Sequence, residues 1–397
     1  MQPMRRESPY PMVLIEEAQR IIAAHVAPLG VEEVSSLTAD GRVLAVHVYA
    51  GEDQPDVPKA AVDGYALRAV DGAAERRVLA EVTAGTTHTS ALPPGAAVRI
   101  MTGAPLPPGA DAVIMVEQTV APGNSVHSVG QDIVRGALVL ARGTALGAAE
   151  IGLLATVGRV RVPVYRRPVV AVLATGDEVH EPDMPLGAGG IRDSNRYALM
   201  AAAREAGCET ISLGIARDDQ ELQRAAILDG LERADLLLTS GGVSMGTRDL
   251  IKPLLAELGT VHFGRIAFKP GKPTTFATIR DRLVFGLPGY PVSSLVSFEV
   301  FVRPALRRLQ GDARPERPRV QVTLLEPITA PSDRPECQRA VVSWQDGRLS
   351  AHSTGAQGSS RLLSLRGANA LLLVPGDGRV YPAGAELDAL LTGPLAP

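Results

Sequence analysis

Apolar and polar positions recur with two different periods along the chain. Residues 13–27 carry apolar side chains every three or four positions, which predicts an amphipathic helix that ends at Pro28 and Gly30. Residues 51–142 show short alternating runs separated by Pro-Gly and Gly-Asn turns, a pattern typical of a small β domain.

The middle of the chain alternates apolar runs with helical patterns. The pattern predicts strands at residues 169–174, 210–215 and 236–239, and helices at residues 196–206 and from about 219 to 234. Asp193, Ser194 or Asn195 caps the first helix, and Asp218-Asp219 caps the second. Strands that alternate with helices of ten or more residues indicate a doubly wound, mostly parallel α/β domain. Its ligands are expected beyond the carboxyl ends of the strands.

The same domain continues to residue 311. A loop is predicted at residues 268–276, a strand at 283–287, and a helix from Pro291 to about Leu309 that Pro304 should bend. Residues 311–318 read as a linker rich in proline and charge, and the short β-like segments after it predict a C-terminal small β domain.

The stretch LLLTSGGVSMGTRD, residues 236–249, joins an apolar strand to a helix through Gly241 and Gly242. Such a turn aims backbone N–H groups and the positive end of a helix dipole at one point, which suits a phosphate or another oxyanion. A glycine pair alone is more typical of an ordinary strand-to-helix connection than of a binding site. The hydroxyl and carboxylate groups that favour a binding site here are Ser240, Ser244, Thr247 and Asp249.

Further polar side chains follow the other predicted strands. Glu178 comes after the first strand, Asp218 after the second, and Lys269 and Lys272 lie in the loop FKPGKPTTF. Oxyanion-binding and cation-binding groups at one sheet edge favour a functional site over a solvated loop.

Two other groups of residues are ambiguous when considered locally. Asp63-Gly64 and Thr102-Gly103 are common turn pairs, so turn chemistry accounts for both. Arg339 and the segment STGAQGSS, residues 353–360, are equally consistent with a solvated strand charge and a flexible loop.

Composition limits the class of protein. The 397 residues are 45% hydrophobic and 21% charged with a net charge of −3, which predicts a multidomain globular protein without a nucleic-acid surface or a membrane anchor. Cys208 and Cys337 lie too far apart in sequence to indicate a disulfide framework or a metal cluster. With no signal-peptide pattern near the N-terminus, a cytoplasmic location is expected.

Nine motifs, in order along nearly the whole chain, together resemble the molybdopterin molybdenumtransferase family, which includes MoeA and the gephyrin E-domain. They are AVDGYA (61–66), RIMTGAPLPPGAD (99–111), GDE (176–178), DSN (193–195), TSGGVSMGTRD (239–249), KPGKP (269–273), GLPGYPVSS (286–294), QRA (338–340) and TGAQGSS (354–360). One departure is Tyr290, which stands where the family usually has asparagine.

The resemblance implies that adenylylated molybdopterin and molybdate react to give molybdenum cofactor with release of AMP. It assigns the pyrophosphate and pterin phosphate to Ser240, Gly241, Gly242, Ser244 and Lys269, and a Mg²⁺ ion to Asp249, Glu178 and Asp218. Molybdate would lie among Lys272, Ser293, Arg339 and Ser359. Asp63 and Thr102 would complete the cleft from the other subunit of a homodimer.

The resemblance also implies an architecture. The expected parts are an N-terminal helical linker domain (residues 1–50 and 141–166), a β-rich inserted domain (51–140), a MogA-like α/β domain that binds molybdopterin (167–311), and a C-terminal small β-barrel domain (312–397). Two such chains would form an elongated dimer. Further partners suggested by the resemblance are the molybdopterin adenylyltransferase and molybdoenzyme chaperones.

The sequence is also consistent with two other functions. The adenylyltransferase of the preceding step shares the glycine-pair sheet domain, although it would lack the regions around Asp63 and Arg339. A gephyrin-like scaffold is the other alternative, and tungstate could replace molybdate as the oxyanion.

Overall fold

The computed structural model describes residues 10–115, 123, 125–243 and 250–396, which form two compact units. The smaller unit comprises Glu33–Asp40 and Leu44–Pro163. The larger unit comprises the residues up to Glu32, Gly41–Val43, and the residues from Val164 onward. Within the described ranges, no helix is both long and apolar enough to cross a membrane.

The elements up to residue 165 are mostly short strands. In chain order they are α1 (Ile15–Ala24), β1 (Val31–Ser35), β2 (Val48–Tyr49), β3 (Lys59–Ala60), β4 (Gly64–Leu67), β5 (Arg77–Val82), β6 (Ala96–Ile100), β7 (Ala112–Ile114), β8 (Val126–His127), β9 (Leu138–Leu140), α2 (Ala148–Thr156) and β10 (Arg161–Tyr165). A four-stranded sheet in the order β5-β6-β4-β7 forms the centre of the smaller unit. Its small apolar core, which includes Ala66, Val98, Ile100 and Val113, confirms the expectation of a β-rich region.

The second part of the chain begins as an α/β fold and ends as a barrel. Its elements are β11 (Val169–Thr175), β12 (Val179–His180), β13 (Ile191–Arg192), α3 (Asn195–Glu205), β14 (Glu209–Ala216), α4 (Gln220–Arg233), β15 (Leu236–Ser240), α5 (Ile251–Leu258), β16 (Thr260–Phe263), β17 (Thr275–Ile279), β18 (Arg282–Leu287), α6 (Pro291–Ser297), α7 (Arg303–Leu309), β19 (Arg319–Leu324), β20 (Ile328–Thr329), β21 (Glu336–Gln345), β22 (Arg348–Ser353), β23 (Ala370–Val374), β24 (Val380–Tyr381) and β25 (Glu386–Leu391).

The central sheet has six strands in the order β14-β11-β15-β18-β17-β16. The first four are parallel, whereas β17 runs antiparallel to both of its neighbours. The predicted loop at residues 268–276 therefore gives way to a strand at Thr275, and β16 was not predicted. The local pattern of apolar and polar residues does not identify β16 and β17, because these segments become strands through pairing with each other and with β18.

Both faces of the sheet are covered, as expected for a doubly wound fold. Along β15, Leu236 and Leu238 pack on the face that α3, α6 and α7 cover. Leu237 packs on the opposite face with α4 and α5. This alternation follows from the two-residue period of a strand, so an uninterrupted leucine run is buried on both sides.

The helices follow most of the predicted end signals. Asp219 caps α4 by accepting a hydrogen bond from the Leu222 N–H at 2.8 Å. Helix α1 ends at Ala24, before Pro28. The long helical run from Pro291 to Leu309 contains a π-helical segment, Phe298–Val302, just before Pro304. A proline ring displaces the carbonyl four residues earlier, and this wider turn accommodates it.

The C-terminal strands close into a barrel in the order β19-β22-β21-β23-β25. Its interior is filled by small and branched side chains such as Val322, Ala340 and Leu372. The barrel belongs to the same compact unit as the central sheet. Lys269 donates its backbone N–H to the Pro335 carbonyl, and Cys337 donates its own to the Lys269 carbonyl at 2.7 Å.

Candidate functional site

A cavity of about 470 Å³ lies at the carboxyl ends of β11, β15 and β18. Parallel strands place the loops that follow them at one sheet edge, which is where the α/β pattern predicted a ligand. The lining residues follow strands β11, β14, β15 and β18, and include Gly176, Glu178, Asp193, Asn195, Asp218, Ser240, Gly241, Gly242, Gly289 and Tyr290.

The glycine turn after β15 has a backbone shape that only glycine adopts freely. Gly241 and Gly242 have φ values of 94° and 65°, and a Cβ on Gly241 would lie 2.8 Å from the carbonyl oxygen of Thr175. The Gly241 N–H donates to the Leu287 carbonyl at 3.1 Å. It is therefore not the free donor that the turn predicted. What Gly241 contributes is a close approach of the main chain to the Thr175 carbonyl, in a turn that lines the cavity.

Ser240 ends β15 and is 4% exposed. Its hydroxyl oxygen lies 2.7 Å from the side-chain nitrogen of Asn195, the first residue of α3. The same nitrogen lies 2.7 Å from the carbonyl oxygen of Gly289. Asn195 therefore joins the end of β15 to the loop after β18. The sequence offered Asn195 as a candidate cap and as part of the DSN motif, with no role of its own. The hydrogen bond from the Arg196 N–H is in fact accepted by the Asp193 carboxylate.

Two of the predicted metal ligands, Glu178 and Asp218, line this cavity. Gly176 has a φ of 134°, and a Cβ there would lie 2.7 Å from a carboxylate oxygen of Glu178, so glycine is what lets this side chain fold back. The Asp218 N–H donates to the Asp177 carboxylate at 3.1 Å. Among the described residues no group of three or more metal-binding side chains lies together. The third predicted ligand, Asp249, lies outside those residues, as do Ser244 and Thr247.

Three of the residues predicted around molybdate are brought towards one region. Ser293 lies in the first turns of α6 and is 4% exposed. The neighbouring Val292 N–H donates to the Ser359 carbonyl at 3.1 Å. Arg339, on β21, reaches the same segment, since its Nη2 lies 3.4 Å from the Gly358 carbonyl oxygen.

The Arg339 side chain is fully buried. Its Nε donates to the Ser364 hydroxyl at 3.1 Å, but its Nη1 has no hydrogen-bond partner among the described residues. Burial lowers the pKa of this guanidinium, although Glu336 and Cys337 act in the opposite direction. A buried guanidinium with an unpaired nitrogen is costly to maintain and is well suited to receive an anion.

The two lysines of the FKPGKPTTF loop have different surroundings. Lys269 forms an ion pair with the buried carboxylate of Glu336 at 3.1 Å. The structure thus gives Lys269 a protein partner, and its predicted contact with a substrate phosphate stays a prediction. Lys272 is half-buried next to Pro273, which lines the cavity.

Asp63 and Thr102 lie together in the smaller unit. The Thr102 N–H and hydroxyl both donate to one oxygen of Asp63, each at 2.7 Å. The backbone hydrogen bond and then the hydroxyl hydrogen bond lower the pKa of Asp63, keeping it ionised. Turn chemistry within each local motif does not account for this contact, because the two residues are 39 positions apart in the sequence.

Three family models match successive parts of the chain. They are the MoeA N-terminal region, domains I and II (residues 13–158), the "probable molybdopterin binding domain" (171–308), and the MoeA C-terminal region, domain IV (321–392).

Relatives match over nearly the full chain. A molybdopterin molybdenumtransferase from Bacillus subtilis is 34% identical over 412 aligned positions, covering 98% of this chain and 95% of that protein. A gephyrin from Dictyostelium discoideum is 36% identical and covers 98% of this chain, which spans only 64% of that longer protein. A crystal structure of the molybdopterin biosynthesis MoeA protein from Pyrococcus horikoshii has a TM-score of 0.83 at 29% identity, covering 96% of this chain and all of that one.

The three matched regions correspond, in chain order, to the N-terminal part with its short strands, to the six-stranded sheet that carries the cavity, and to the C-terminal barrel. The shared length and identity extend well beyond the central sheet. The chain belongs to the molybdopterin molybdenumtransferase family.

Proposed function

We propose that this protein is a transferase of molybdenum cofactor biosynthesis that inserts molybdate into adenylylated molybdopterin and releases AMP. The observation that carries the proposal is the cavity at the sheet edge, where the glycine turn, two carboxylates and the helix α6 loop converge. The cavity volume of about 470 Å³ is within the usual range for small-molecule sites. Family membership supplies the substrates that this geometry alone does not name.

The substrate phosphates are assigned to the glycine turn. Ser240 and Gly242 line the cavity beside the close backbone approach at Gly241, and Ser244 and Lys269 complete the proposed set. Backbone N–H groups and a buried hydroxyl are already held in position by the fold, so they can donate hydrogen bonds to phosphate oxygens. This chain's part in the reaction is then to hold the pyrophosphate still while the bond to AMP breaks.

Mg²⁺ is the proposed divalent cofactor. Glu178 and Asp218 both line the cavity, which fits an ion that takes one or two carboxylates and keeps several waters. Asp249 is the third proposed ligand. When bound, the ion would supply positive charge beside the scissile pyrophosphate.

The oxyanion is assigned to Lys272, Ser293, Arg339 and Ser359. Arg339 supports this assignment best, since its unpaired Nη1 offers a charged donor that a tetrahedral dianion can satisfy. Ser293 and Ser359 are held on segments joined by the Val292 hydrogen bond. Tungstate has the same shape and charge, so the experiment must include both oxyanions.

The decisive experiment incubates the purified protein with adenylylated molybdopterin, Mg²⁺ and either molybdate or tungstate. AMP release and metal incorporation are followed together, with and without a chelator. We expect AMP release to depend on the oxyanion and on Mg²⁺. Release of AMP without any oxyanion, with no metal incorporated, would refute the proposal.

The adenylyltransferase alternative is less well supported, because the matched regions extend on both sides of the central sheet. A gephyrin-like scaffold role finds no specific support in the cavity. We propose that the chain acts in the cytoplasm, with the adenylyltransferase and molybdoenzyme chaperones as further partners.

We also propose a homodimer in which Asp63 and Thr102 of one subunit serve the site of the other. The two Thr102 hydrogen bonds keep the Asp63 carboxylate charged and fixed in position. Mixing inactive Asp63→Asn and Glu178→Gln subunits should then restore one intact site in each mixed dimer. Activity no higher than that of either variant alone would contradict the shared site.

A further inference from the structure

Asn195 holds two sides of the cavity together through one amide group. Its side-chain nitrogen is 2.7 Å from the Ser240 hydroxyl oxygen and 2.7 Å from the Gly289 carbonyl oxygen. Ser240 ends β15, and Gly289 lies between β18 and α6. Since all three residues line the cavity, this pair of hydrogen bonds lies at the ligand's boundary.

The direction of both hydrogen bonds is fixed by chemistry. A backbone carbonyl can only accept, so the side of the Asn195 amide that faces Gly289 must be the NH₂ group. The same nitrogen faces Ser240, and an amide nitrogen can only donate. The Ser240 hydroxyl therefore accepts from Asn195 and keeps its own proton for another partner.

That proton has a limited choice of partners. Ser240 is 4% exposed, and among the hydrogen bonds of the described residues none has its hydroxyl as donor. Because Asn195 occupies one acceptor direction of the oxygen, the proton is confined to the remaining directions. A buried hydroxyl on a cavity wall is stabilised when a ligand oxygen accepts its proton.

We infer that Asn195 is a positioning residue that orients Ser240 as a hydrogen-bond donor to an anionic oxygen of the substrate. The inference rests on the proposed function for the identity of that oxygen, which belongs to the phosphates of adenylylated molybdopterin. It differs from a purely structural role, in which Asn195 only ties Gly289 to the rest of the sheet edge.

A double-mutant cycle separates the two roles. Asn195→Ala and Ser240→Ala should each raise KM for adenylylated molybdopterin about tenfold, equivalent to about 1.4 kcal/mol, and change kcat less than about twofold. In the Ser240→Ala background, adding Asn195→Ala should change KM less than about twofold. Effects that multiply in the double variant, or an unchanged KM in Asn195→Ala, would overturn the inference.

Asn195→Asp provides a variant of nearly unchanged size if the alanine variant folds poorly. A carboxylate only accepts hydrogen bonds, so the Ser240 hydroxyl would donate its hydrogen bond to the new carboxylate instead of to the substrate, and the new negative charge would repel the phosphates. We expect it to raise KM more than Asn195→Ala does. An aspartate variant with wild-type KM would contradict the proposed orientation of Ser240.

Asn369→Ala is the matched structural control. The Asn369 amide nitrogen also donates to two carbonyls, those of Val342 and Pro394, each at 2.8 Å, but within the barrel. This variant should lower the unfolding midpoint and leave KM unchanged. A KM increase of similar size in Asn369→Ala would mean that lost stability alone explains the result.

The failure of the inference and the failure of the proposed function give different results. If the wild type turns over adenylylated molybdopterin but the cycle shows no coupling, only the inference fails. If the wild type shows no turnover, the proposed function fails. The wild type, the two alanine variants and the double variant are then compared for binding of inorganic pyrophosphate by calorimetry. Uncoupled losses, or no pyrophosphate binding by the wild type, would then overturn the inference as well.

Discussion

Replacing Arg339 with methionine should stabilise the empty barrel and abolish its response to molybdate. Arg339 is fully buried, yet it makes one hydrogen bond of ordinary length, to Ser364 at 3.1 Å, and one long contact, to Gly358 at 3.4 Å. Nη1 has no partner among the described residues. A buried arginine with so few partners lowers the stability of the barrel unless an anion binds to it.

The magnitude follows from these contacts. A hydrogen bond to a charged group contributes about 1.5 to 3 kcal/mol, and the long contact adds less. Burying one ion costs several kcal/mol after relaxation. The Ser364 hydroxyl still donates to the Arg361 carbonyl at 2.7 Å after the substitution, so it keeps a hydrogen bond. Arg339→Met should therefore raise the opening free energy of the barrel by about 1 to 3 kcal/mol.

Amide hydrogen exchange of β21, followed by mass spectrometry, measures this opening free energy directly. Exchange should be slower in Arg339→Met than in the wild type without oxyanion. Molybdate at about 100 times its Kd should raise the opening free energy of the wild type by about 2.7 kcal/mol and so slow its exchange. It should leave the exchange rate of Arg339→Met unchanged.

Arg319→Met is the control for removing an arginine from the barrel. Arg319 pairs with Asp388 on the surface, where both side chains are well exposed. Removing this arginine should therefore change the opening free energy of the barrel by less than about 1 kcal/mol. Molybdate should still slow exchange in this control. The reasoning is wrong if Arg339→Met exchanges faster than the wild type, or if molybdate still protects it.

Three further predictions concern the sheet. Gly241→Ala should lower kcat/KM at least about tenfold, because its Cβ would lie 2.8 Å from the Thr175 carbonyl oxygen. Gly189→Ala, which has a similarly positive φ of 80° but open space around it, should not lower kcat/KM to this extent. Asp235→Asn should cost about 2 kcal/mol in unfolding free energy at pH 7. Burial raises the pKa of Asp235, but hydrogen bonds from arginine and backbone outweigh it and lower the pKa. The ionised Asp235 therefore contributes to the unfolding free energy above about pH 4, and this contribution is lost as pH falls through its lowered pKa in the folded protein. In urea unfolding, the wild type should exceed Asp235→Asn in stability by less at acid pH than at pH 7. Tyr290→Asn should raise KM for adenylylated molybdopterin about two- to tenfold, since an exposed ring is removed from the cavity wall; an unchanged KM would exclude a ring contact.

The parts of the fold that the sequence predicted are those that depend on local pattern. The leucine run at β15 predicted a strand buried on both faces, and the core confirms it. Asp219 was predicted as a cap of α4 and accepts the expected hydrogen bond. In both cases the residues that decide the structure lie within a few positions of one another.

What the sequence did not predict depends on contacts between distant residues. The Asp63 to Thr102 hydrogen bonds join two turns that each looked ordinary. The role of Asn195 arises only when the sheet brings β15, β18 and α3 to one edge. Likewise, the ion pair of Lys269 with Glu336 joins a loop to a strand 67 positions later, and no local periodicity encodes such a contact.

The joining of barrel and sheet also constrains how such proteins can diversify. Cys337 on β21 and Leu371 on β23 belong to the apolar cluster that lies against α3, α6 and α7. A barrel exchanged at the charged linker, residues 311–318, would bring foreign side chains into that shared core. Recombination between relatives should therefore succeed when the crossover transfers sheet and barrel together, and fail when it separates them.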